Sequence, residues 1–430
     1  MSVLAAAVAR VSAGDTAWML IATALVLMMT PALGLFYAGL VRSKNTLNTF
    51  MMSVAALAVA TITWSLVGYS LAFDGDGSII GGLHNAFLHD VAFAPRPGTT
   101  IPHLVFFAFQ ATFCIITTAL VSGAVVERMR FGPFLAFAAL WSVLVYAVLA
   151  HWAFGGGWLQ AGGTLDFAGG VPVEMGSGFS ALAAALVVGA RKDYGRQAFL
   201  PHNAMYVLLG AGLLWFGWFG FNGGSGFSTG NASVLAFTNT LLTPACTLAV
   251  WFVLDLIRGR QVTAIGAATA IIVGCVAITP AGGFISPLWA MGLGALAALP
   301  SYAMIVWRPR TRVDETLDVL AAHGVAGFTG ILFIGFVAQV GWNGVSDGLL
   351  YGNAAQLGDQ ALAALAAPAY AFGMTYVLLR VIGLFTPLRA TAREEALGMD
   401  IVAHGEEAYA TGEGAILVDA ELGREREVVV

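Results

Sequence analysis

A helix needs about 20 mostly apolar residues to cross the hydrocarbon core of a bilayer, and this sequence supplies eleven such runs. They lie near 16–38, 47–72, 102–125, 131–153, 167–190, 204–225, 234–256, 262–279, 284–306, 318–340 and 356–384. Only Thr279-Pro280-Ala281-Gly282-Gly283 separates the eighth from the ninth. Charged residues make up 10% of the 430, against about 25% in a typical soluble chain. A soluble enzyme, a disordered chain and a nucleic-acid binder are excluded. The net charge is −5, and no basic patch offers phosphate contacts. The expected fold is an all-α polytopic membrane protein. Its 53 glycines follow no Gly-X-Y period and suit close helix packing in lipid. Cys114, Cys246 and Cys275 all lie in apolar runs, which argues against a disulfide framework.

The loops sort by charge. Those after odd-numbered runs carry Arg42 and Lys44, Arg128 and Arg130, Arg191, Lys192 and Arg196, Arg258 and Arg260, then Arg308, Arg310 and Arg312. Those after even-numbered runs carry Arg96 alone. By the positive-inside rule the odd loops face the cytoplasm, the N-terminus lies outside and the C-terminus inside. Residues 1–15 read either as the remnant of a signal or as a translocated tail. The membrane domain is expected over 16–386 and a cytoplasmic tail over 387–430. Segment 74–101 reads as a polar outside loop whose His84 and His89 sit in solvent.

An ionisable residue at the bilayer centre costs roughly 2.5–3.5 kcal/mol on insertion scales, so each one within a run needs a reason. Glu174 lies a short way into the fifth run and His323 a short way into the tenth. Each is followed four residues later by Gly, on the same helix face. The fifth and tenth runs correspond if the chain is two five-helix halves plus one extra helix. An odd number of spans per half makes the halves inverted, an architecture with its site at the repeat interface. Glu174 and His323 are then a central pair; the alternative is two separate polar groups satisfied by backbone. Asp166 and Asp318, near the starts of the same runs, are expected to cap them. Glu127-Arg128 reads as an interfacial charge cluster. The sixth run ends Leu214-Trp215-Phe216-Gly217-Trp218-Phe219-Gly220-Phe221-Asn222-Gly223-Gly224-Ser225. Trp215 and Trp158 suit an interface belt. Rings above a buried Glu/His pair suit a small cation that sheds its water and its proton.

Several stretches resemble the ammonium transporter family (the Amt/Mep/Rh group), nearest to bacterial-type Amt proteins. They are Leu35-Phe36-Tyr37-Ala38-Gly39-Leu40-Val41-Arg42-Ser43-Lys44-Asn45, Glu127-Arg128-Met129-Arg130-Phe131, Leu165-Asp166-Phe167-Ala168-Gly169-Gly170, Phe216-Gly217-Trp218-Phe219-Gly220-Phe221-Asn222, and the tail stretch Gly398-Met399-Asp400-Ile401-Val402-Ala403-His404-Gly405-Glu406. The resemblance implies a homotrimer of eleven-helix protomers in the cell membrane, each with its own hydrophobic pore for ammonium. It implies an outer site of Phe113, Phe154 and Ser225, a gate of Phe113 and Phe221, and Trp218 lining the pore. Asp166 would hold the outer site's backbone. The tail, including Gly398, Asp400, His404, Gly405 and Glu406, would be regulatory, and a PII signal protein would be a partner at the cytoplasmic face. No cofactor, metal or enzymatic activity is implied.

The chain departs from the family pattern twice. Glu174 stands where most members have the first of two pore histidines, with His323 as the second. Phe154 stands where most Amt members have Trp, and Phe is the weaker cation-π partner. The expected function is uptake of NH4+ by capture, deprotonation and conduction, with proton relay through Glu174 and His323. Alternatives are an ammonium sensor and a less selective cation-permeable variant, for which an ionised Glu174 is the motive.

Overall fold

The computed structural model describes residues 10–259 and 261–409; Arg260, most of segment 1–15 and the tail beyond 409 lie outside them. Among the described residues there is no β-strand, only isolated bridges such as Pro95 with Pro102. Ten helical stretches are long and apolar enough to cross a membrane. They are α1 (Ala13–Leu40), α2 (Ser43–Phe73), α3 (His103–Ser122), α4 (Phe131–Ala161), α5 (Gly170–Val188), α6 (Ala204–Gly224), α7 (Asn231–Ile257), α9 (Pro287–Arg310), α10 (Leu320–Val337) and α11 (Ala354–Phe385). The eighth run forms α8 (Ala264–Ile278), an apolar helix of 15 residues, shorter than a full crossing requires. Two short helices follow, α12 (Ala392–Leu397) and α13 (Met399–His404).

Helix starts follow capping chemistry. Asn203 Oδ1 accepts the N–H groups of Met205 and Tyr206 at 3.1 Å each, opening α6. Thr263 Oγ1 accepts from Gly266, opening α8, and Thr391 and Glu394 form a reciprocal capping box on α12.

α1 and α6 run antiparallel. The chain entering α6 bonds to the exit of α1, with Asn203 N–H donating to Gly39 O. At the other end Trp18 Nε1 donates to Gly223 O. Gly210 brings α6 onto the backbone of Phe36, where any Cβ would collide. Gaining packing this way is the use of small residues in lipid, where burial alone drives little association.

α5 and α10 are the corresponding fifth helices, and they enter from opposite ends. Each opens with a wide turn of π-helix, Gly170–Met175 in one and Leu320–Val325 in the other. They cross where Gly178 meets the backbone of Gly324, too close for a side chain on Gly178. The reciprocal glycine, Gly327, packs on Cβ of Glu174. Thus the glycine four residues after each central residue receives the opposite helix. α11 braces the crossing from outside: Gln360 donates to Leu165 O and Ile331 O, and Thr375 Oγ1 and Ser180 Oγ accept Trp141 Nε1.

Two expectations are corrected. Glu127 and Arg128 are not an interfacial cluster, since both are fully buried. Asp318 does not cap α10 with its side chain. It lies at φ +58° and pairs with Arg308 Nε at 2.6 Å, while Glu315 Oε2 accepts the N–H of Leu320. Glu315 is eight residues before His323, as Asp166 is before Glu174, and that register decides which acid caps.

Candidate functional site

Two vestibules and a narrow cavity lie in series along the α5–α10 crossing. The first vestibule is lined by Phe113, Phe154 and Ser225, with Phe106, Gln110 and Arg96 among the others. Phe113 comes from the middle of α3, Phe154 from near the end of α4 and Ser225 from just beyond α6. Ser225 Oγ donates to Phe221 O at 2.8 Å, so its lone pairs are free to face a ligand. Asp166 stands behind this site. Its carboxylate accepts the N–H groups of Gly169 at 2.9 Å, Gly170 at 2.8 Å and Val171 at 2.7 Å. This fixes the turn into α5, where Gly169 at φ +121° supplies a conformation that other residues rarely adopt. Asp166 therefore does cap its helix.

The vestibule floor is a ring stack. Phe113 and Phe221 lie 4.0 Å apart between centroids, at 29°. Beyond them is a cavity of about 20 Å³, room for roughly one water-sized molecule. Its walls are almost wholly apolar, including Leu33, Ile116, Leu120, Val173, Leu214 and Trp218. Glu174 and His323 are its two ionisable wall residues. His323 Nδ1 and Glu174 Oε2 are 2.8 Å apart, with Glu174 fully buried and His323 4% exposed. The halves' matching positions are thus brought into direct contact. Glu174 Oε1 has no hydrogen-bond partner among the described residues. The neighbouring Thr279 hydroxyl donates to Cys275 O and accepts the indole N–H of Trp218.

His323 also lines the second vestibule, at the opposite end, so it stands between the cavity and that mouth. The second vestibule carries Arg42, Glu127, Arg191, Arg308 and Asp318. Glu127 accepts from Arg42 Nε at 2.9 Å, Asn45 Nδ2 at 2.9 Å and Arg191 at 2.6 Å. Arg191 in turn holds Asp314 with two bonds of 2.9 Å. Burial raises the Glu127 carboxyl, but Arg191 and Arg42 outweigh it and leave it below the usual carboxylate range. Arg128 donates to the carbonyls of Gly189, Ala124 and Asp314.

The tail packs against this end. Asp400 accepts the N–H groups of Leu47 and Asn48 at the start of α2, Gly398 lies against Lys44, and the His404 ring meets Phe131 at 4.8 Å. Gly405 ends α13 at φ +68°. Glu406 stays exposed. His84 and His89 of segment 74–101 are exposed beside Asp90, where they were expected in solvent.

Sequence reasoning missed three contributors: Glu315, Thr279 and Arg96. Only Arg96 left a signal, as the sole basic residue of the even loops.

A bundle of apolar helices, with two inverted helices crossing around a one-molecule apolar passage, is the frame of a membrane conduit for a small solute. Residues 17–409 match the Ammonium Transporter Family, and the chain belongs to that family. It is 44% identical over 399 residues to an ammonium transporter of Bacillus subtilis, covering 92% of this chain and 98% of that one. Among solved structures, Candida albicans Mep2 is similar with TM-score 0.85 and 33% identity, over 90% of this chain and 88% of that one. A structure described as a sensor Amt protein is similar with TM-score 0.84 and 28% identity, over 91% and 98%. The protein is thus a membrane transporter of ammonium rather than an enzyme.

Proposed function

We propose that NH4+ is captured among Phe113, Phe154 and Ser225, loses its proton at the Phe113/Phe221 stack, and crosses the cavity as NH3 beside Trp218. The proton travels separately through Glu174 and His323, and the two recombine in the second vestibule. The net movement is one positive charge per ammonium. The observation that carries this reading is the serial order of aromatic vestibule, ring stack and Glu174–His323 pair. A neutral molecule suits the one-molecule apolar passage, because stripping a cation of water there is costly. With Nδ1–H donated to a carboxylate at Glu174, His323 Nε2 is an acceptor, on a ring that lines both the cavity and the second vestibule. A proton taken up by Glu174 passes from Oε2 to Nδ1 when the imidazole carries its hydrogen on Nε2, and the Nε2 proton leaves toward the second vestibule, which His323 also lines.

We assign the Arg96 vestibule to the outside and the second vestibule to the cytoplasm, because the basic loops gather at the latter. This makes residues 1–15 an outside tail, 16–386 an eleven-span domain and 387–430 a cytoplasmic regulatory tail. The docking of Asp400 on α2 supports that role. Exposed apolar side chains such as Leu209, Phe216, Val234 and Leu288 suit lipid or neighbouring copies in a homotrimer. A PII signal protein at the cytoplasmic mouths completes the reading.

The test is current and uptake in liposomes holding the full chain, with NH4+ and K+ in turn. Saturable ammonium current without K+ current is expected. K+ current of similar size would instead favour the less selective conductance, with Glu174 ionised.

A further inference from the structure

Rings of the first vestibule join, through the buried Phe109, into one continuous series. Phe73 meets Phe106 at 5.1 Å, Phe106 meets Phe227 at 5.1 Å, Phe227 meets Phe109 at 5.8 Å, and Phe109 meets Phe113 at 4.8 Å. Ring faces of this kind attract cations. At the outermost end the chain's own cation already occupies them. The guanidinium carbon of Arg96 lies 4.4 Å from the centroid of Phe106 and 5.4 Å from that of Phe73. It is held from behind as well. Nη2 donates to Phe73 O at 3.4 Å, and Nη1 lies 3.5 Å from Tyr69 Oη and 3.4 Å from His103 Nε2. Tyr69 and His103 bond to each other, and the His103 ring is tied to the backbone of Asp90. Arg96 is therefore a fixed charge. It shares the vestibule wall with Phe113, Phe154 and Ser225; among the described residues lining that wall none is a carboxylate, and Asp166 stands behind it, bound to backbone N–H groups.

We propose that Arg96 sets the cation affinity of this vestibule: its fixed positive charge weakens ammonium capture and turns divalent cations away more strongly. The inference rests on the reading of Phe113, Phe154 and Ser225 as the capture site. Repulsion between unit charges across roughly 10 Å changes a binding constant about two- to seventeenfold at effective dielectric constants of about 80 to 20. A divalent ion feels twice the energy and so the square of that factor. Phe154 and Arg96 then act in the same direction, toward a loosely binding mouth that a multivalent ion cannot plug. Salt screens such an effect, with a Debye length of about 10 Å at 0.1 M.

The test is a charge series at one position. Full-length wild type, Arg96→Lys, Arg96→Gln and Arg96→Glu are reconstituted in liposomes. The KM for ammonium is read at low and high ionic strength, with and without Mg2+, and Phe154→Trp is carried alongside. KM should fall in the order Arg, Lys, Gln, Glu, with Lys near wild type and Gln lower by about two- to seventeenfold. The spread should shrink in high salt, and Mg2+ should inhibit the Gln and Glu variants while sparing wild type. A merely structural Arg96 would not grade with charge. A KM that rises in the Gln variant, or is the same in Arg, Gln and Glu, overturns the proposal. If Phe154→Trp lowers KM and the charge series does not, the Arg96 proposal alone fails. If neither changes KM, the capture-site reading fails and takes the proposal with it.

Discussion

The two helices α5 and α10 share one frame and differ in what fills it. In each, an acid lies eight residues before the central residue and a glycine four residues after it. Asp166 meets three backbone N–H groups and leaves neither oxygen idle. Glu315 is fully buried, meets the N–H of Leu320 and leaves Oε1 without a partner among the described residues. The mouths differ likewise. The α5 end is an aromatic vestibule closed by stacked rings, whereas the α10 end opens onto paired arginines and carboxylates. The repeat supplies geometry, and the residues that break its symmetry give the two mouths different chemistry.

The largest expected effect comes from breaking the frame at its rigid end. An amide at position 166 offers one acceptor oxygen to three N–H groups, and each hydrogen bond to a charged group is worth about 1.5–3 kcal/mol. Asp166→Asn should lower transport more than about tenfold, while Glu315→Gln, which keeps an acceptor for Leu320, should stay within about twofold. Uptake normalised to membrane abundance checks both. Equal losses would mean that the two caps are equivalent.

Next comes the ring stack, for which the α10 mouth has no counterpart. Phe113→Ala or Phe221→Ala should disturb transport far more than Trp152→Phe. Trp152 packs on Trp158 and Tyr370 and bonds Ile79 O, away from the passage. A Trp152 variant as damaged as the gate variants would sink the assignment. A smaller change is expected from Phe154→Trp, which should tighten apparent affinity by up to about fivefold, since the ring exchange is worth about 1 kcal/mol.

The smallest effect is a pH slope. Burial, then the charge of Asp318, pushes the Glu315 carboxyl up from 4.5 to about 7. The folded state therefore binds this proton more tightly than the unfolded one. The associated stability is complete below about pH 4.5 and is lost as pH rises through about 7. Glu315→Gln should flatten that decline, and melting temperatures of the two proteins between about pH 5 and 8 should diverge as pH rises. Parallel curves would show that Glu315 does not titrate there.

Hydropathy runs along the chain, so the apolar runs located the helices to within a few residues, although α8 came out short. The meeting of Glu174 and His323 was legible too, because matching positions in two inverted halves leave few other arrangements. The burial of Glu127 and Arg128 was not. It depends on Arg42, Asn45, Arg191 and Asp314, which arrive from separate loops. Nor was the swap of roles between Asp318 and Glu315, which turns on a left-handed residue at the entry to α10. Arg96 stood out by charge, but its seat on Phe106 is a tertiary fact.

The central claim is that Glu174 and His323 carry the proton while the passage carries NH3. It is tested most directly by charge moved per ammonium, measured with K+ competition from about pH 5 to 8, the range over which imidazole titrates. Wild type should move close to one charge per ammonium. Glu174→Ala and His323→Ala should each lose most of that current, and Glu174→His should restore it with a shifted pH optimum. If Glu174→Ala and Glu174→His both match wild type in flux, pH profile and selectivity, Glu174 is a bystander and the proton takes another route.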